Sequence, residues 1–170
     1  MGILFSAWWT GDGIVIDESQ MTETTARLKE VEPVLDSLPT YEGTKRPEAA
    51  SLEPCYLDPS GDYLIQPHAS RSWTLRRADQ SKLTRLAQAI SNDLSNHGWA
   101  VTRDADNAAI WRITFDSGNG WTGTGEIFPN YSTESWEAFQ QGGPHPDAET
   151  AITVSLSVDG ANPCRDSLWG

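Results

Sequence analysis

The chain has 170 residues, 38% of them hydrophobic and 21% charged, with a formal net charge of -12. That length suits a single domain with one core, and the composition is globular rather than disordered. A surface this acidic repels phosphate, so it argues against nucleic acid and against a resting position on anionic lipid.

The first stretch, "MGILFSAWWTGDG", has no Lys or Arg before Arg27, and its apolar run ends at Trp9. A secretory signal needs a basic start and a longer apolar run, so as written this is not one. "MGILFS" fits the pattern for myristoylation at Gly2. "LFSA" has the small-residue end of a bacterial lipoprotein signal, with Trp8 where the lipidated Cys would stand. The expectation is that the stretch marks where an export signal has been lost or left out.

From Glu18 to Leu38 the spacing of Met21, Leu28, Val31, Leu35 and Leu38 predicts a helix with one apolar face. Asp17 with Gln20 offers a capping box, and Pro33 should kink or divide the helix. Residues 39–54 carry Pro39, Pro47, Pro54 and Gly43, and read as a loop. "DYLIQ" and "SRSWTLRR" read as short strands, the second with Trp73 and Leu75 on one side and Arg76 on the other.

The strongest predicted element follows. In "ADQSKLTRLAQAISNDLSNHG", Leu83, Leu86, Ala87, Ile90 and Leu94 form a helical stripe, Asp79 is a good N-cap and Gly98 a good stop. His97 suits the negative end of that helix dipole. "WAVT" and "AAIWRITF" are strands, and "DSGNG" turns the second into "WTGTGEIF" as a hairpin. Residues 130–150 are polar and rich in turn formers, with one short helical turn at "STESWEAF". "AITVSLSV" closes the body with Ile152, Val154, Leu156 and Val158 on one face. Strands in runs joined by tight turns predict an α+β fold of two layers. It would have an antiparallel sheet of about 4–6 strands, two main helices packed on one face, and one disulfide. Residues 1–54 are expected as a lead, helix and loop packing on a body of residues 55–170, within one domain.

Cys55 and Cys164, the only cysteines, each follow a proline. They are too distant for a CxxC pair and too few for zinc without His68, His97 or His145, none of which stands at ligand spacing from another. Two buried free thiols are the alternative to a Cys55–Cys164 disulfide. The disulfide is the expectation, and with it an oxidising compartment.

The chemical motifs weigh little. Gly118, Gly120 and Gly123 match G-x-G-x-x-G, but a strand follows where a dinucleotide site needs a helix, so a turn and close backbone packing are expected. Asp104, Asp106 and Asn107 could offer oxygens to calcium, yet lack the glycine and distal Glu of an EF-hand, and read as a polar turn. His145 stands near Asp147 with no nucleophile in a recognisable elbow. No catalytic, metal or cofactor residue is assigned.

Of eight tryptophans, Trp73, Trp99, Trp111 and Trp121 are expected in the core, and Trp8, Trp9, Trp136 and Trp169 outside it. Residues 67–103 hold Arg71, Arg76, Arg77, Lys82, Arg85 and Arg103 against Asp79 and Asp93. That excess is either a solvated helix face beside a strand or a basic patch for an anionic ligand or another part of the chain. The candidate partner-binding residues are Trp8, Trp9, Trp136, Arg71, Arg76 and Arg77.

From Cys55 to Cys164 the chain resembles secreted or lipid-anchored cell-envelope proteins of actinobacteria whose function is unassigned. "PCYLD", "LAQAISNDLSNHGWAVT" and "GANPC" carry the likeness. The resemblance implies an extracellular or envelope location and a fold style, with no catalytic residues to carry over. The chain departs from the lipoprotein pattern in having no signal and no lipidated Cys. The functional expectation is a non-enzymatic envelope or secreted domain that binds a protein or glycan partner. The alternatives are a small-ligand carrier with an aromatic-lined pocket between sheet and helix, and a hydrolase using carboxylates such as Glu126 and Glu134.

Overall fold

The structure is a computed structural model, and it describes residues 14–57, 63–131 and 149–166. In chain order the elements are β1 (Ile14–Ile16), α1 (Glu18–Ser37), β2 (Ser51–Glu53), β3 (Tyr56–Leu57), β4 (Leu64–Ile65) and β5 (His68–Arg76). Then come α2 (Gln80–Asn96), β6 (Ala100–Arg103), β7 (Trp111–Asp116), β8 (Thr122–Tyr131), β9 (Glu149–Val158) and β10 (Cys164–Asp166). The fold is α+β. Six strands form one antiparallel sheet in the order β2-β5-β9-β8-β7-β6, and β1-β10 and β3-β4 form two small pairs.

Both helices begin where the predicted caps stand. Asp17 accepts from the Gln20 backbone N–H at 3.0 Å and from the Gln20 side-chain amide at 3.1 Å. Asp79 accepts from the Lys82 N–H at 2.8 Å. The stripe of α2 is buried as its spacing requires. α1 is not divided at Pro33 but continues through it to Ser37. Leu28 and Val31 before the proline and Leu35 after it are all buried in the same core, so packing on both sides supports the helix despite the lost N–H.

The strands alternate. On one side of the sheet lie Trp73 and Leu75 of β5, Ile152, Val154, Leu156 and Val158 of β9, Ile127 of β8, and Trp111, Ile113 and Phe115 of β7. These form one buried cluster with the stripes of α1 and α2. Trp73 is 0% exposed, its indole N–H donating to the Pro39 carbonyl at 2.9 Å, and Tyr41 meets its ring edge-on. Trp99, Trp111 and Trp121 are also buried, so the four tryptophans expected inside are inside. Trp121 and Asn119 donate to Glu30 of α1, fastening the β7–β8 hairpin to the helix and holding the Glu30 carboxyl below the usual carboxylate range.

Chain order does not follow sheet order. β6, β7 and β8 form a meander, after which β9 inserts between β8 and β5, and α2 joins β5 to the far edge strand β6. β8 runs on through Pro129 to Tyr131, beyond the end expected at Phe128. Pairing with β7 stops at Ile127, so the missing N–H of Pro129 falls past the end of that neighbour.

Cys55 and Cys164 are joined, across a sequence separation of 109 residues. The Gln66 side chain reinforces the junction, donating to the Cys164 carbonyl at 3.0 Å and accepting from its N–H at 3.3 Å. The bond therefore clamps β10, and through it β1, to the β3–β4 hairpin. It points to a non-reducing compartment. Among the described residues, no helix is long and apolar enough to cross a membrane.

Candidate functional site

Period-two geometry gives the sheet a second side, on which hydroxyls are the commonest groups. One row crosses all six strands through Ser51, Ser70, Ser155, Glu126, Arg112 and Thr102, each the register partner of the next. Beside it lie Ser157, Thr124 and Thr114, and on the other flank Ser72, Thr153 and Phe128. Hydroxyls dominate. Arg112, Thr114, Thr124 and Ser72 are exposed, while Ser155, Ser157, Glu126 and Phe128 are half-buried. None of these residues belongs to the buried core cluster.

One shallow depression lies on this side and a second at its β8 end. One, of about 380 Å³, is bounded by Arg112, Thr114, Thr124, Glu126, Phe128, Ser155 and Ser157. The other, of about 320 Å³, lies between the 107–110 loop and the end of β8, against Ala109, Ile110, Pro129 and Tyr131. Glu126 and Phe128 border both, so the two adjoin as halves of one trough, the second reaching round the end of β8 to Pro129 and Tyr131 of the core side. The first half is lined by hydroxyls and the second is mainly apolar.

The charges in the trough are paired. Arg112 donates to Glu126 at 3.1 Å and bridges to Asp104 at 2.7 Å. Asp104 Oδ1 also accepts the backbone N–H groups of Asp106 at 2.7 Å and Asn107 at 3.2 Å. The Asp106 N–H contributes most, then the Asn107 N–H and Arg112, and together they hold the Asp104 carboxyl below its ordinary range. This is a polar turn closed on an arginine: the oxygen that would face a calcium ion already accepts two N–H groups. Among the described residues, no three His, Cys, Asp or Glu side chains gather as a metal would require. Asp104 is also no catalytic partner for Glu126, since its side chain is 4% exposed and Arg112 stands between them.

The three candidate arginines diverge rather than form one patch. Arg71 lies on the core side of β5, where its guanidinium donates to the Leu35 and Leu38 carbonyls at the end of α1, and to Glu48 O. Its side chain is 10% exposed, so it caps a helix and offers little to a partner. Arg76, five residues on, lies on the opposite side and pairs with Glu149 at 3.1 Å. Lys45 and Arg76 hold the Glu149 carboxyl below its usual range. Arg77 follows the strand with a φ of 53°, and its carbonyl accepts from Lys82. Trp8, Trp9, Trp136, Trp169, Glu134, His145 and Asp147 lie outside the described residues.

The glycine motif is structural. Gly118 and Gly120 have φ of 75° and 85° in the hairpin turn, which a side chain would strain. A Cβ on Gly123 would enter the Phe115 ring. The aromatic-lined pocket between sheet and helix is filled where α2 meets the sheet. There the space against Leu83, Ala87, Trp111, Ile127 and Ile152 is about 10 Å³, no more than one water needs.

The trough was not visible in the sequence as a site. The only signal was the alternation of hydroxyls with apolar residues in "TVSLSV", and of Thr with Gly in "TGTGEIF", which equally marks an ordinary solvated sheet face. Comparison of the chain with known protein families, with curated proteins and with solved structures returned no match.

Proposed function

We propose that this chain is a non-enzymatic, disulfide-bonded domain of the cell envelope or extracellular space, which binds a protein or glycan partner on the hydroxyl-lined side of its sheet. In this reading the fold has two layers, with both helices on the core side and the other side left for the partner. One observation carries it: a trough on three adjacent strands, bordered by Ile113 and Gly125 of the core side and by seven further residues that take no part in the core cluster. The Cys55–Cys164 bond supports the compartment. The pairing of Glu126, one of the two carboxylates of the hydrolase reading, with Arg112 weighs against that reading, and the filled space beneath α2 against the carrier.

The test is retention of the purified protein by an envelope fraction of its source organism. Thr124→Arg, which fills the trough from an exposed position, should abolish retention. Gln88→Arg, on the exposed side of α2, should leave it intact. Equal retention of both variants overturns the reading.

A further inference from the structure

We infer that the occupant of the trough is an uncharged carbohydrate chain; this rests on the reading of the hydroxyl side as the docking surface and names the class of partner. Each Ser and Thr hydroxyl donates one hydrogen bond and accepts others, with a proton that rotates to suit. A dense array of such groups is matched by a ligand whose own groups are hydroxyls, which donate and accept in the same way. Protein partners fit poorly. Their interfaces are depleted in Ser and anchored by Trp, Tyr and Arg. Here Arg112, the one arginine bordering the trough among the described residues, is already bound to Asp104 and Glu126. Anionic polymers fit poorly as well, because among the described residues the trough has no uncompensated cation and the chain carries -12.

Phe128 supplies the remaining element. Its half-buried ring borders both halves of the trough, where the C–H face of a sugar can lie against it while the ring hydroxyls reach Ser155, Ser157 and Thr124. The three strands that border the hydroxyl half of the trough span about 10 Å at the usual strand spacing, and the second half extends it along β8.

Calorimetric titration with neutral glucan, mannan and galactan oligosaccharides, with polygalacturonate as anionic comparator, tests this. At least one neutral chain should bind, with an affinity that does not change between 20 mM and about 500 mM salt, since no net charge is neutralised. Phe128→Ala should weaken it at least ten-fold. Thr124→Val, which keeps shape and removes a hydroxyl at an exposed position, should weaken it about three-fold or more with the thermal midpoint unchanged. The inference is overturned if no neutral chain binds, if only polygalacturonate binds, or if neither variant weakens binding. If the oligosaccharides fail while Thr124→Arg still abolishes envelope retention, the docking surface stands and the carbohydrate falls. If retention also survives Thr124→Arg, both fall.

Discussion

Along β9, Ile152, Val154, Leu156 and Val158 point to one side of the sheet and Thr153, Ser155 and Ser157 to the other. The first set is buried at 5% exposure or less and meets side chains from both helices. In the second set, Thr153 bonds the hydroxyl of Ser72 at 2.7 Å, and Ser155 and Ser157 border the trough. An antiparallel sheet needs only one dry face, so stability is concentrated on the core side and the chemistry of the other is left open to a second purpose. The contrast makes a quantitative claim: equal substitutions on the two sides should differ several-fold in cost.

The largest effect is expected at Trp73. Trp73→Ala removes a fully buried indole and leaves the Pro39 carbonyl without its donor, at a cost of about 3–5 kcal/mol. Urea denaturation should show the midpoint fall with little change in slope. Next is Gly125 on the core side of β8, where a Cβ would run into the Ser155 carbonyl and a Leu156 methyl. One of those atoms is backbone of the paired strand and cannot swing away. Gly125→Ala should therefore cost about 1–3 kcal/mol despite adding only a methyl group.

Arg71 breaks the simple form of the comparison, as a charged residue on the apolar side. Arg71→Met keeps the aliphatic stem but strips the guanidinium from the Leu38 carbonyl and leaves Leu35 O with the Leu38 N–H alone, and should cost about 2 kcal/mol. Arg76→Met, the same change on the opposite side, should cost under about 0.5 kcal/mol, since Arg76 is an exposed partner of Glu149. Comparable losses would show that the arginines act together rather than apart.

That divergence also shows where the sequence was legible. Helices with 3.6-residue stripes and side-chain caps at Asp17 and Asp79 declare themselves locally, and so does a hairpin whose turn holds Gly118 and Gly120. The cysteine pair was readable because only one partner exists. The insertion of β9 between β8 and β5 was not readable, since sheet order depends on contacts between distant segments that leave no local mark. Arg71 and Arg76 looked like one basic cluster in one dimension, but a spacing of five in a strand places them on opposite sides. The trough was hidden for a related reason: its hydroxyls come from three strands, and each strand alone shows only ordinary alternation.

Acid should weaken the protein through three of its carboxylates. The folded state holds Glu30, Asp104 and Glu149 below their ordinary range. With depressed folded values, the unfolded chain binds protons first, so stability is fully present above the ordinary carboxylate range and is lost as pH falls through the folded values. Unfolding free energy followed by urea titration should be level near neutrality and decline only below that range. Asp104→Asn should flatten part of the decline, because the proton-linked site is then gone.

The smallest effect is the sharpest test of the comparison. Ser155→Ala sits on the same strand as Val154 and Leu156, one residue from each, yet faces the trough. It removes one hydroxyl from a half-buried position and should shift stability by no more than about 0.5 kcal/mol. Leu156→Ala, next along the chain and fully buried, should cost about 2–5 kcal/mol. If Ser155→Ala approached that figure, the hydroxyl side would be part of the structural core. A near-neutral result means these hydroxyls contribute little to holding the fold, which leaves them available to a ligand.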